Sequence, residues 1–261
     1  MRCWILYDEK DLEGNTFFAE RLRDVGNQLG MDCSIVTSFD PDDAPDVVVS
    51  RIRDSELTSL LEDYGSTVFN RSSVSRICNN KASTYSFVKA LGIPTLPYSF
   101  PDGDLPDGPP WVVKSCSGHG GTEVFLAETR DDVMEYSMKM SDPIVQEFAS
   151  DPGKDMRVYV LGGRVIATVL RSSDTDFRAN FKLGGRAELV EAPESVIGMV
   201  RRIAPELMAD FIGIDFVFGK DGQIYLNEIE DVVGTRMLYE LTELDPAEMY
   251  MGYIARSMGI R

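Results

Sequence analysis

The sequence predicts two fold classes in series, an α/β layer followed by an α+β body, and three observations predict it. Apolar strand-like runs alternate with helical patterning over residues 1–75. From Trp111 onward, strands pair through glycine turns with few helices between them. At 261 residues and ordinary composition, the chain suits two or three tightly associated subdomains better than a string of independent modules.

The elements follow in order. MRCWILYDEK holds the first strand, and NTFFAERLRDVGNQLG places Phe18, Leu22, Val25 and Leu29 at helical spacing. CSIV after Gly30 and DVVVSRI near position 48 add strands, completing a βαβ-type layer. NKASTYSFVKALGIP reads as a helix capped by Asn79 or Asn80 and stopped by Gly92 and Pro94. In WVVKSCSGHGGTEVFLAET two strands flank a glycine loop, and DDVMEYSMKM supplies one helix. MRVYVLGGRVIATVLR is a hairpin turning at Gly162-Gly163; IGIDFVFGKDGQIYLNEI is a second, with a two-residue turn at Asp221-Gly222. DPAEMYMGYIARSMG closes as a helix with Asp245 at the cap, Pro246 at its first position and Glu248 completing a capping box.

Composition excludes several functions. A net charge of −17 argues against a sequence-independent grip on nucleic acid or on an anionic membrane. No apolar run is long enough to cross a bilayer and no basic start precedes an apolar stretch, so the expectation is a cytoplasmic protein. Cys3, Cys33, Cys78 and Cys116 are scattered without a close pair, which signals neither zinc nor a disulfide framework and predicts buried thiols. His119 is the single histidine, so chemistry is expected from carboxylates, lysines and arginines.

One apolar strand ends in acid, YLNEIEDVVG. Strand alternation puts Glu228 and Glu230 on the side where Ile224 and Leu226 point, and the turn at Asp221-Gly222 sets Asp215 opposite Glu228. Two carboxylates about 4 Å apart repel by roughly 4 kcal/mol at an effective dielectric near 20, so they separate, take a proton or share a cation. Asp215, Glu228 and Glu230 together make an all-oxygen set suited to magnesium or manganese; fraying into solvent is the plain alternative. Magnesium of this kind leaves positions for substrate phosphates. Lys114 and the loop glycines Gly118, Gly120 and Gly121 fit a phosphate cradle, although a strand follows them where nucleotide-binding fingerprints place a helix. Arg157, Arg171 and Arg178 fall in one region as candidate anion partners.

The order of NKASTYSFVKALGIPTLP, WVVKSCSGHGGTEVFLAET, IVQEFASDPGKDMRVYVLGGRVIATVLR, DFRANFKLGG and GIDFVF with LNEIEDVVG resembles an ATP-grasp ligase, in the RimK-like branch of ribosomal-protein S6 glutamate ligases. The resemblance covers nearly the whole chain. It implies an ATP-grasp fold behind a small N-terminal α/β domain (1–75), with the ATP-grasp domain at 76–261 divided into subdomains 76–148 and 149–261. It assigns Lys81 and Lys114 to ATP phosphates, Gln146, Glu147 and Phe148 to the adenine segment, and Asp155 to a nearby nucleotide-site acid. Arg157, Arg171, Arg178 and Asn180 would surround phosphates and the reacting carboxylate, and Asp215, Glu228 and Glu230 would hold two magnesium ions, or manganese. Two departures stand out: Glu230 replaces an asparagine before a proline-containing turn, here DVVG, and Glu123 stands where relatives often have glycine.

The activity this implies is ATP-dependent amide or peptide bond formation through an acyl phosphate, adding an amino acid such as glutamate to a peptide, protein or small molecule. A peptide macrocyclase and a non-catalytic ATP switch are the alternatives. The partners implied are a carboxylate substrate and an amine acceptor, with no nucleic acid or membrane; homo-oligomerisation is left open. Arg51 and Arg236 are each as plausible at the surface as in a substrate-carboxylate anchor.

Overall fold

The structure, a computed structural model, describes residues 1–178 and 185–260. Strands β1 (Arg2–Tyr7), β2 (Asp32–Val36), β3 (Val47–Arg51) and β4 (Thr67–Phe69) form a parallel sheet in the order β2-β1-β3-β4. Helices α1 (Glu9–Glu13), α2 (Thr16–Gln28) and α3 (Ser55–Asp63) connect them. β1 and β3 are nearly continuous apolar runs because the sheet is covered on both faces. Cys3, Ile5, Val47 and Val49 pack with α2 residues, while Trp4, Leu6 and Val48 pack with Leu61 of α3. Phe18, Leu22 and Val25 of α2 are buried as their spacing predicts. Leu29 is not: it caps the helix and is 37% exposed.

Helices α4 (Ser72–Cys78) and α5 (Lys81–Ala90) lead to an antiparallel sheet of β5 (Tyr98–Ser99), β6 (Trp111–Ser115), β7 (Val124–Ala127) and β8 (Pro143–Glu147), ordered β5-β8-β6-β7, with α6 (Arg130–Ser137) packed on it. Asn80 is the cap of α5, its side chain accepting from Ser83 N. A third sheet, also antiparallel, contains β9 (Lys154–Leu161), β10 (Arg164–Ser172), β11 (Arg186–Leu189), β12 (Phe211–Phe218) and β13 (Ile224–Glu230) in the order β11-β10-β9-β12-β13. Helix α7 (Glu194–Leu207) covers one face, with Val196, Val200 and Ile203 against Val158, Ile212, Ile214 and Phe216. On the other face Tyr159, Val169 and Phe211 join the core of the N-terminal sheet, together with α8 (Arg236–Leu241) and α9 (Pro246–Ser257).

Asp245 caps α9 by accepting from Ala247 N and Glu248 N. The expected capping box is replaced, because the Glu248 carboxylate pairs with Arg21 of α2, which also binds Asp245 at 2.7 Å. Among the described residues no helix is long and apolar enough to cross a membrane. All four thiols are free and buried, but Cys3 and Cys33, far apart in sequence, are register partners on β1 and β2.

Candidate active site

Asp215 of β12 is the register partner of Glu228 of β13, as expected, although the route to that pairing differs. The hairpin turns through three residues, with Gly219 N donating to Gln223 O and Gly222 at φ 77°, a loop in which glycine supplies the left-handed position. This places Phe216 opposite Leu226. A bulge at Asn227 then absorbs one residue and restores the Asp215–Glu228 pair. The bulge also corrects the face expected for the acids. Leu226 and Ile229 both enter the core, so Glu228 and Glu230 point to the opposite side from the apolar residues that precede them. Carboxylate oxygens of Asp215, Glu228 and Glu230 lie within 4.8 Å of one another.

Alternation along β9 and β10 brings the cations to this same face. Arg157, directly across from Asp215, forks both carboxylate oxygens at 2.7 and 2.6 Å and reaches Glu230 Oε1 at 2.7 Å. Arg171, directly across from Asp155, forks it at 2.6 and 2.7 Å and donates to Asp215 Oδ2 at 2.7 Å. The network is buried, which by itself would raise Asp215, yet the two guanidiniums hold it at about 2. Burial dominates instead at Asp155, pushed to about 6 against the pull of Arg171, and it raises Glu230 as well.

The lysines come from the other sheet. Lys114 Nζ, on β6, donates to the Asn227 side chain at 3.0 Å, so the bulged residue is itself part of the site. Burial, with Lys81 beside it, lowers Lys114 to about 7. Lys81 opens α5, is buried rather than solvated, pairs with Glu228 at 3.3 Å and donates to the carbonyl of Gly118. Gly118 N donates to Ser115 Oγ at 2.9 Å, and Gly120 and Gly121 have φ of 66° and 75°. Arg178 donates to the Gly121 carbonyl at 2.7 Å and is forked by Asp176, so it stands with the glycine loop rather than in the Arg157–Arg171 network. Gln146 is buried on β8, between β5 and β6, and approaches the Tyr85 hydroxyl at 3.3 Å; it is not on an exposed edge. Glu147 pairs with Lys220 at 3.5 Å, and the Phe148 ring lies 5.9 Å from that of Phe177. Asn180 lies outside the described residues.

Every other residue assigned above lines one cavity of about 590 Å³. Arg51 and Arg236 line it too, and they differ in burial: Arg236 is exposed at the start of α8, whereas Arg51 is 2% exposed and so is no surface residue. His119 is exposed and borders the cavity. Tyr7, Asn227 and Asp231 also border it and went unassigned from sequence; Asn227 and Asp231 carried a signal, their place in the acidic strand end YLNEIEDVVG, and Tyr7 carried none.

The donor set fits the implied groups. Three carboxylates without sulfur or imidazole suit magnesium, and a carboxylate with about four lone-pair sites can accept an arginine and still face a cation. The cavity size is that of a small-molecule site, and lysines, arginines and loop amides suit a triphosphate.

Comparison with known proteins agrees with this geometry. The profile of the RimK-like ATP-grasp domain matches residues 106–254. N-acetylaspartylglutamate synthase A of Mus musculus is 32% identical over 255 residues, covering 88% of this chain and 66% of that protein. Beta-citrylglutamate synthase B of Homo sapiens is 31% identical over 235 residues, covering 81% of this chain and 61% of that protein. The D-alanine–D-alanine ligase from Bacillus anthracis, solved with ATP, superposes with a TM-score of 0.73 over 98% of this chain and 95% of that one at 14% identity, which shows the fold. An N-terminal parallel sheet, two antiparallel sheets and the profile match lead to one conclusion: the chain belongs to the RimK-like ATP-grasp family of carboxylate–amine ligases.

Proposed function

We propose that the protein adds an acidic amino acid, glutamate or a close analogue, to the carboxylate of a small molecule or peptide through an acyl phosphate. The observation that carries this reading is the single cavity in which Lys81, Lys114 and the glycine loop face the Asp215–Glu228–Glu230 set and its two buried arginines. The products named in the two synthases above contain glutamate, which supports that choice of amine.

A substrate carboxylate oxygen bonds to the γ-phosphorus of ATP as the bond to the β-phosphate oxygen breaks, releasing ADP. The amine nitrogen then bonds to the acyl carbon, the carbon–oxygen bond to phosphate breaks, and the nitrogen's proton passes to solvent. Lys81 and Lys114 hold the triphosphate, and Arg157 and Arg171 offset charge on the transferring group and the tetrahedral intermediate. Arg178 closes the glycine-loop side over the phosphates, Asn180, outside the described residues, keeps the phosphate role that the resemblance implies, and Gln146, Glu147, Phe148 and Asp155 line the nucleotide end. Asp215, Glu228 and Glu230 would hold magnesium, which neutralises phosphate charge when bound. Positioning supplies most of the rate. In this scheme the three sheets act as three units with boundaries near residues 75 and 148, the second and third closing on nucleotide while the N-terminal layer receives substrate.

Purified protein with ATP and magnesium, offered a panel of carboxylates and amino acids, is expected to release ADP only when a carboxylate is present and to yield a product heavier by one amino-acid residue. ATP binding without any carboxylate-dependent ADP release would point to a switch. Glu228→Gln should lose turnover by about 100-fold or more with an unchanged melting curve; near-normal turnover would remove the metal assignment.

A further inference from the structure

The arginines of the catalytic network are spoken for by carboxylates, but one buried arginine bordering the same cavity is not. Arg51 ends β3, is 2% exposed, donates one hydrogen bond to the Val233 carbonyl at 2.7 Å, and has no carboxylate partner among the described residues. Its Nε is buried without a hydrogen-bond partner. Directly across the register stands Tyr7, the last residue of β1, 1% exposed, whose hydroxyl is equally unpartnered. Burying a guanidinium and a phenol with open donors is costly unless something completes them.

Their position has a topological reason. In the order β2-β1-β3-β4, the chain leaves β1 toward one side and returns on the other, so the sheet's switch point lies between β1 and β3. Crevices beyond the carboxyl ends of parallel strands at such a point are where open α/β sheets bind ligands. Tyr7 and Arg51 are the carboxyl ends of those two strands. A third open atom borders the same cavity: Asp231 Oδ1, in a residue 4% exposed, is an acceptor without a donor. Two donors and one acceptor, all buried and all incomplete, complement a carboxylate beside an amino group.

We infer that Arg51 and Tyr7 bind a non-reacting carboxylate of the amine substrate, with Asp231 facing its amino group, so that this end of the cavity selects an α-amino acid. This rests on the ligase reading and makes Arg51 a specificity residue within it. A clamp between β3 and the loop after β13 would need only the Val233 contact and the guanidinium's seat over the Phe18 ring, 5.4 Å from its centroid, and would leave Nε and the Tyr7 hydroxyl without a partner.

The test compares L-glutamate with its two carboxamides, L-glutamine and the 1-amide, as amine probes, using ATP, magnesium, and N-acetylaspartate or citrate as carboxylate probes. In wild-type protein one amide is expected to show a KM about 10 to 100-fold above that of glutamate, the value of a charge-assisted contact. In Arg51→Gln the KM for glutamate rises by a similar factor, the acid-to-amide ratio falls toward one, and the KM for ATP is unchanged. Arg51→Lys, which keeps the charge but not the fork, gives an intermediate ratio and is read in its place if the glutamine variant fails to melt cooperatively. A ratio kept at its wild-type value in a folded variant overturns the assignment of Arg51 alone. Failure of the wild-type protein to join any amine to any carboxylate overturns the ligase reading beneath it.

Discussion

Lys114 shows how much of the site chemistry sits on single residues. Its ammonium is buried and has Lys81 as a neighbour, and these two causes bring it down to about 7 while a neutral amide, Asn227, is its hydrogen-bond partner. A group so placed is only partly charged at neutral pH, and a phosphate restores the charge by favouring the protonated form. The sign follows: above pH 7 the unliganded lysine has lost its proton and must regain it on binding, so ATP binding weakens as pH rises. The dissociation constant for ATP is expected to climb toward about tenfold per pH unit above 7. Calorimetry at pH 8 in two buffers of different ionisation enthalpy should register uptake of a proton, and Lys114→Met should bind more weakly with a flatter profile. A profile as steep in the variant as in wild type would assign the titration to another group. Asp215 behaves oppositely. Held at about 2 between two guanidiniums despite its burial, it stays ionised throughout this range and is a fixed charge rather than a switch.

At the scale of elements, local chemistry predicts its own consequences and distant partners do not. Asp245 was legible as a cap because the cap, the following proline and the helical run all lie within a few residues. In the structure that carboxylate also takes Arg21 at 2.7 Å and the Tyr239 hydroxyl at 3.0 Å, so α9 is tied to α2 through its first turn. Asp245→Ala should cost about 1–2 kcal/mol, a fall of roughly 2–6 °C in Tm by scanning calorimetry, with no change in ATP affinity. A shift under one degree would show that solvent or Glu248 can replace the cap. The same reasoning explains why a cap at Asn79 or Asn80, which the structure gives to Asn80, and the Gly162-Gly163 hairpin were legible in the sequence, whereas the fork of Arg157 on Asp215, 58 positions on, was not. The bulge at Asn227 could not be read this way. It is set by a three-residue turn and by Lys114, more than a hundred positions earlier, so strict alternation assigned Glu228 and Glu230 to the wrong side of an otherwise correct strand. Arg51 was equally opaque, since its burial depends on Val233 and the loop that follows β13.

The whole molecule is joined across a seam between the N-terminal layer and the third sheet. Ile5, Tyr7, Phe18 and Val49 share one core with Tyr159, Phe211, Met237 and Tyr250. Asn70, just beyond β4, sits in the seam: its side chain donates to the carbonyls of Phe211 and Asp231 and accepts from Asp210 N and Phe211 N. The next group along is a carboxylate. Asp210 is buried, accepts the Tyr253 hydroxyl at 2.8 Å, and is raised by burial to about 6, against its ordinary value of 3.8. An acid whose folded-state value is raised favours the folded state when protonated, so its contribution is full below its unfolded value and is lost as pH rises through about 6. The loss corresponds to the order of 2–3 kcal/mol between pH 4 and pH 7. Asp210→Asn keeps an acceptor for Tyr253 without a charge, and urea unfolding of the two proteins isolates this one group from every other titration. The variant's stability relative to wild type should increase by that amount from pH 4 to pH 7, because only the wild-type seam must hold a buried anion at the higher pH. A difference that stays constant over the range would mean that the Asp210 carboxylate is solvated and that the seam is open to water at that point.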